Sequence, residues 1–168
     1  IISKDYEGNI IKIRTTENEL RLTPNHILFA RIPLEGGSYY VYLMYRQDKG
    51  FRIGMAKSVR KSRSETESMG LQARCNQENA DRMWILRISN NKDDAHYWEI
   101  YFSSKYGIPQ LVFKTNGRKM TISQENINKL FKNIDTKSQA MTLFKDTGLD
   151  YNYPHYTPQG TTNQNTLR

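Results

Sequence analysis

The chain has 168 residues, 37 % hydrophobic and 25 % charged, which excludes a disordered polymer and suits one domain or two small ones. No apolar run approaches the roughly 18–20 residues that cross a bilayer, and the one cysteine, Cys75, excludes an internal disulfide or a cysteine-based zinc cluster. Lys and Arg number 25 against 17 Asp and Glu; the net charge of +8 favours a polyanionic partner by steering and counterion release.

In chain order, residues 9–14 (NIIKIR) and 19–23 (ELRLT) alternate around a polar TEN turn and predict a hairpin. TPNHILFARI continues as a loop and an apolar strand, and LEGGSYY supplies a glycine junction. Tyr39 to about Met55 reads as a second hairpin turning at RQDKG. The polar stretch 58–69 fits a short basic helix or a loop, and 70–82 is helical in propensity. MWILRIS (83–89) is a buried-strand pattern. Residues 92–106 form an amphipathic helix with Asp93 and Asp94 in its first turn, stopped by Gly107 and Pro109.

LVFK (111–114) and KMTIS (119–123) flank a TNGR turn and predict a third hairpin. Ser123 is the expected N-cap of a helix with Ile127, Leu130, Phe131 and Ile134 on its apolar side. A last helix, about 137–147, carries Met141, Leu143 and Phe144 and ends at Gly148. The Pro-, Thr- and Asn-rich tail reads as an ordered loop that becomes disordered. The expected class is α+β, a small, mostly antiparallel sheet flanked by helices.

The positive charge clusters. Residues 46–63 hold Arg46, Lys49, Arg52, Lys57, Arg60, Lys61 and Arg63 against Asp48. Phosphodiester hydrolysis needs a group that positions or activates water, a cation for the charged phosphorane, and a carboxylate for a divalent metal. Tyr42, Arg60 and Glu99 are candidates for these roles in turn. Ala95, Glu99 and Phe102 share a helical face, so Glu99 sits among apolar residues and needs a partner.

This order resembles the GIY-YIG nuclease family. Tyr40-Val41-Tyr42 stands where the family has its GIY triplet, Arg52-Ile53-Gly54 where it has YIG, and Met55-Ala56-Lys57 where a K-A-K-like run follows. Ala95-His96-Tyr97-Trp98-Glu99 has the spacing of the family's metal glutamate. The resemblance, over about residues 39–107, implies a Mg²⁺- or Mn²⁺-dependent DNA endonuclease with Glu99 as metal ligand. The chain departs from the pattern at Tyr40, where the family has glycine, and at Arg52, where it has tyrosine. Either Tyr42 suffices, or Arg52 replaces part of the function, or cleavage is lost. The family's arginine falls near Ser62, bracketed by Arg60 and Arg63, with Arg74 a third option.

Thr23-Pro24-Asn25-His26, after two alternating strands, resembles the TxxH motif of the Hint fold of inteins. QENAD, the YWE…YGIP helix and GLDYNYPHYTP are similar to inteins inside UvrD/Rep-type DNA helicases. The implied organisation is a partial Hint segment at 1–36, a nuclease core at 37–110, an accessory hairpin and helices at 111–150, and a returning loop at 151–168. In that setting His26 and Thr23 belong to the splicing motif, and the expected partners are double-stranded DNA and the host helicase polypeptide. The chain has no Cys or Ser at its start and no His-Asn at its end, so it is not expected to splice as it stands. The start IISKDYEG lacks a basic leader, and a cytoplasmic setting without membrane is expected.

Plainer readings accompany these. Tyr42 is also a good cross-strand aromatic. Gln77, Glu78 and Asp81 read as a solvated face or a cap for Arg82, His96 as exposed, and His155 as packed in an aromatic loop. Lys129, Lys132 and Lys137 fit a solvated face or a track for a phosphate backbone. Arg46, Lys49, Lys57, Lys61 and Arg74 are the expected DNA contacts.

Overall fold

The computed structural model describes residues 5–24, 26, 37–61, 67–115 and 119–158. The chain divides into two compact units, Ile1–Pro33 and Leu34–Arg168. In the first, β1 (Ile11–Arg14) pairs antiparallel with β2 (Glu19–Leu22), as the alternation predicts, with Ile11 opposite Leu22. Thr15 closes the turn: its amide donates to the Asn18 carbonyl at 2.8 Å, and its hydroxyl accepts from the Asn18 amide at 3.0 Å. Ile11, Ile13 and Leu20 are exposed. Thr23 and His26 are joined by a turn in which the His26 amide donates to the Thr23 carbonyl at 3.0 Å. The strand expected within residues 27–32, and Gly36 of the glycine pair, lie outside the described residues.

The second unit runs β3 (Tyr39–Arg46), β4 (Gly50–Lys57), β5 (Val59–Lys61), β6 (Glu67–Met69), α1 (Gly70–Glu78), β7 (Arg82–Ser89), α2 (Lys92–Tyr106), α3 (Gln124–Asn133) and α4 (Thr136–Thr147). It is α+β with antiparallel sheets. The main sheet has the order β4-β3-β7, and the predicted hairpin pairs Tyr39 with Lys57 and Arg46 with Gly50.

Strand alternation sends Val41, Leu43, Phe51 and Ile53 to one face. There they meet Trp84 of β7, Ala95 and Phe102 of α2, and Ala140, Leu143 and Phe144 of α4 in the main core. The opposite face carries Tyr40, Tyr42, Met44, Arg52, Gly54 and Ala56, and is buried as well. The chain crosses it with α1, which contacts β4 and β7. Burial on both faces explains why tyrosines, not charged residues, alternate with the aliphatic ones in β3.

The helix signals hold. Asn91 caps α2, its side chain accepting from the Asp93 amide, and Gly107 ends it. Ser123 caps α3 through the Asn126 amide at 3.3 Å, and Gly148 ends α4. Ile127 and Phe131 are buried, with Phe131 5.0 Å from Phe113 between ring centres. Met141 is exposed rather than part of the core.

Three expectations are corrected. Residues 59–61 and 67–69 pair as short antiparallel strands, with Lys61 opposite Glu67, where a basic helix or a loop was expected; residues 62–66 lie outside the described residues. Helix α1 stops at Glu78 rather than reaching Arg82, because Asn79 takes a left-handed conformation with φ 51°. No strand forms at 111–115 or 119–123, and residues 116–118 lie outside the described residues. The reason is that side chains take the backbone groups a hairpin would use. The Phe113 amide donates to Glu78 at 2.9 Å, its carbonyl accepts from Gln124 Nε2 at 2.9 Å, and the Thr115 amide donates to Gln124 Oε1 at 3.0 Å.

The tail pairs with the other edge of the sheet at His155 and Tyr156. Met83 and Tyr156 exchange backbone hydrogen bonds at 2.9 and 3.1 Å, and the Ile85 amide donates to His155 Nδ1 at 2.8 Å. His155 itself is exposed rather than packed in the loop, which corrects the expectation. Partial loss of solvation holds it below the ordinary histidine pKa.

Candidate functional site

Edge strand β4 must find partners for the amides that point away from the sheet. Phe51 donates to Thr136 Oγ1 at 2.9 Å and Ile53 to the Pro109 carbonyl at 2.9 Å. The next amide in this alternation, Met55, acts on the Glu99 carboxylate and lowers its pKa. Helix α2 carries Glu99 on its buried face with Ala95 and Phe102, as the spacing predicted. His96 Nδ1, on an exposed ring, lies 3.3 Å from Glu99 Oε2. Burial raises the Glu99 pKa, and the charge of Arg52 is the largest opposing influence, followed by His96, the Met55 amide and Arg74.

Tyr42 lies opposite Gly54 in the β3–β4 pairing and is 1 % exposed. A Cβ at Gly54 would stand 2.7 Å from the Tyr42 hydroxyl and 2.9 Å from Arg52 Nη2. Glycine here lets both side chains close over the strand. Burial raises the Tyr42 pKa, with Arg52 opposing. At neutral pH the group is therefore a neutral phenol, able to orient a partner by hydrogen bonding rather than to take a proton as a phenolate.

Arg52 is 5 % exposed and is held on two sides. Its Nη1 lies 2.7 Å from Glu78 Oε1, and its Nη2 donates to the Gln110 carbonyl at 2.7 Å. Its Nε is buried without a hydrogen-bond partner. Four residues before Glu78 on α1, and so on the same helical face, Arg74 also has a buried Nε without a partner. Arg52 and Arg74 are the two arginines whose charges act on both Tyr42 and Glu99.

The sheet thus sets Arg52 Nη1 3.5 Å from the Tyr42 hydroxyl, and the charges of Arg52 and Arg74 act on both Tyr42 and Glu99. Arg60 sits on β5 opposite Ser68, with its own Nη1 buried and unpaired, but its charge is not among the leading influences on Tyr42 or Glu99. Arg63 lies outside the described residues. Two expected DNA contacts are engaged within the protein. Arg46 Nε lies 2.7 Å from Asp48 and its Nη1 donates to the Glu78 carbonyl at 3.2 Å, while Lys49 Nζ donates to Asn128 at 2.8 Å. Both brace the hairpin turn. Lys57 is exposed, and Lys61, also exposed, lies 3.6 Å from Glu67. Lys132 and Lys137 line a cleft of about 420 Å³ with the turn residues Asp48 and Lys49. Thr23 and His26 belong to the other unit.

Glu78 corrects the expectation of a solvated face: it is fully buried. Its burial follows from the stripe Leu71, Cys75, Glu78, which repeats at i, i+4 and i+3 and is buried throughout. That spacing was present in the sequence and assigns Glu78 to the inward face.

Among the described residues, no three His, Cys, Asp or Glu side chains cluster to hold a metal ion. Glu99 fits a divalent ion that keeps most of its waters and completes its shell from a substrate phosphate, as Mg²⁺ does. It does not fit an ion that demands an all-protein cage.

No family model matches the sequence, and no curated protein or solved structure matches it either.

Proposed function

We propose that the second unit is a phosphodiester-directed, metal-dependent DNA endonuclease domain of GIY-YIG type, carried within an intein of a DNA helicase. The observation that supports this best is that Arg74, whose buried Nε has no protein partner, acts by its charge on both Tyr42 and Glu99. An unpaired buried donor costs stability, and a phosphate oxygen would satisfy it.

In this reading Arg74 holds the scissile phosphate and stabilises the charge of the phosphorane. Tyr42 orients water by its hydroxyl. Glu99 is the carboxylate that would hold Mg²⁺ or Mn²⁺; such an ion, when bound, supplies positive charge at the phosphate and the leaving oxygen. Lys57, Lys61, Lys132 and Lys137 contribute sequence-independent attraction to the duplex.

A second reading is a DNA-binding domain that no longer cuts. The Arg52–Glu78 ion pair favours it, because a guanidinium stays protonated and cannot do the proton chemistry of the tyrosine that the resemblance leads one to expect. The test is duplex binding and cleavage by wild type and Arg74→Ala, with DNA carrying an uninterrupted helicase gene. Metal-dependent cleavage that Arg74→Ala lowers by about 100-fold or more supports the nuclease. Salt-sensitive binding without cleavage supports the second reading.

A further inference from the structure

Helix α2 carries His96 and Glu99 three residues apart, so the two side chains rise from adjacent turns on one side of the helix. His96 Nδ1 lies 3.3 Å from Glu99 Oε2, and the side chains are 55 % and 11 % exposed. The imidazole stands in solvent and meets one oxygen of the carboxylate. The ring thus marks the side on which the carboxylate opens to solution.

Two donors each about 2.1 Å from one ion are separated by about 3.0 Å at octahedral angles and by about 3.4 Å at tetrahedral ones. The observed 3.3 Å falls between them, so one ion can take both atoms with little movement of either side chain. As a bare ion pair the contact is worth little, because the ring is solvated. Glu99 shares its face with the buried Ala95 and Phe102, and a carboxylate placed there calls for a stronger partner. A divalent cation shared with the imidazole is one. Carboxylate and water alone suit Mg²⁺, whereas an imidazole favours first-row transition ions.

Resting on the reading of Glu99 as a metal ligand, we infer that His96 is a second protein ligand, and that the His96–Glu99 pair takes a first-row transition ion such as Mn²⁺ in preference to Mg²⁺. His96 Nδ1 and Glu99 Oε2 are the donors. The remaining positions are left to water and to a phosphate oxygen of the substrate.

The experiment is titration of Mn²⁺ into the full chain without DNA. Free Mn²⁺ is followed by electron paramagnetic resonance, Mg²⁺ is added as competitor, and pulsed spectra of the bound ion are read for nitrogen coupling. The proteins are wild type, His96→Ala, His96→Gln and Glu99→Gln, each checked for folding by circular dichroism. Wild type is expected to bind a single Mn²⁺ that shows imidazole nitrogen coupling and that an equal concentration of Mg²⁺ fails to displace. His96→Ala is expected to lose the coupling and to weaken Mn²⁺ binding by about tenfold or more, with the Mg²⁺ affinity kept. Glu99→Gln is expected to lose both ions. Bound Mn²⁺ without nitrogen coupling in wild type overturns ligation by His96, and so does His96→Ala that binds Mn²⁺ as tightly as wild type. Affinity lowered in His96→Ala and restored in His96→Gln would assign His96 to holding Glu99 by a hydrogen bond, which overturns ligation as well. Each of these results leaves the Glu99 reading standing where Glu99→Gln fails to bind. Wild type that binds neither ion, or Glu99→Gln that binds as wild type does, overturns the Glu99 reading and the inference with it.

Discussion

Arg52 and Glu78 form a buried ion pair at 2.7 Å between β4 and the last turn of α1, and Glu78 passes the connection on to the Phe113 amide at 2.9 Å. The pair joins the strand that carries the site, the helix that covers it and the irregular segment after α2. Removing one member strands the other. Glu78→Ala is expected to destabilise the second unit by about 3–5 kcal/mol, measured by urea unfolding. Replacing both residues with apolar ones, Arg52→Met/Glu78→Leu, should recover most of that loss. A double variant as unstable as Glu78→Ala would show that Phe113 and Gln110, not the ion pair, dominate.

Gly54 lets Tyr42 and Arg52 close over β4, since a Cβ there would sit 2.7 Å from one and 2.9 Å from the other. Gly54→Ala should cost about 1–3 kcal/mol through overpacking and disturb the Arg52–Glu78 pair as Arg52 is displaced. Thermal melts of Gly54→Ala, alone and in the Arg52→Met/Glu78→Leu background, check both effects. Wild-type stability in Gly54→Ala would mean that the two side chains have room to move apart.

The pH dependence at Glu99 has a definite sign. Burial raises its folded pKa above the ordinary glutamate value. The folded state therefore holds its proton more tightly than the unfolded state between those two values. The stabilising contribution is complete below the unfolded pKa and is lost as pH rises through the raised one. Glu99→Gln should flatten this part of the stability–pH curve. Metal affinity should rise over the same window, because the ligand must be deprotonated. Urea unfolding at a series of pH values compares the two proteins, and identical curves would contradict the raised value.

His155 works in the opposite sense. Its Nδ1 accepts the Ile85 amide, and partial loss of solvation lowers its pKa. Stability from the neutral ring is present above the unfolded pKa and is lost as pH falls through the lowered folded value. Hydrogen exchange at the Ile85 amide should accelerate across that acid range in wild type. His155→Ala should exchange fast at every pH. Protection that ignores pH in wild type would show that Met83 and Tyr156 hold the tail on β7 by themselves.

Local signals in the sequence carry far in this chain. The alternation of Tyr39–Arg46 and Gly50–Lys57, the Asp93–Asp94 first turn and Gly107 end of α2 and the Ser123 cap of α3 each depend on neighbours within one element. So does the inward placement of Glu99 from Ala95 and Phe102. What did not show locally depends on partners far along the chain. Arg52 and Glu78 meet across 26 residues, and Phe113 loses its strand bonds to Glu78 and Gln124. The basic run at 46–63 gives no sign that Arg46 and Lys49 are bound to Asp48 and Asn128. Charge counts record how many cations there are, not which of them have protein partners.

The proposed role of Tyr42, Arg74 and Glu99 as one phosphodiester-cleaving site is tested by Mg²⁺- or Mn²⁺-dependent cleavage of supercoiled plasmid carrying the uninterrupted helicase gene, by wild type and Glu99→Ala. Nicking or linearisation is expected from wild type and none from the variant. Cleavage that survives Glu99→Ala would put the active site elsewhere, and the absence of cleavage by folded, DNA-bound wild type would contradict the nuclease outright.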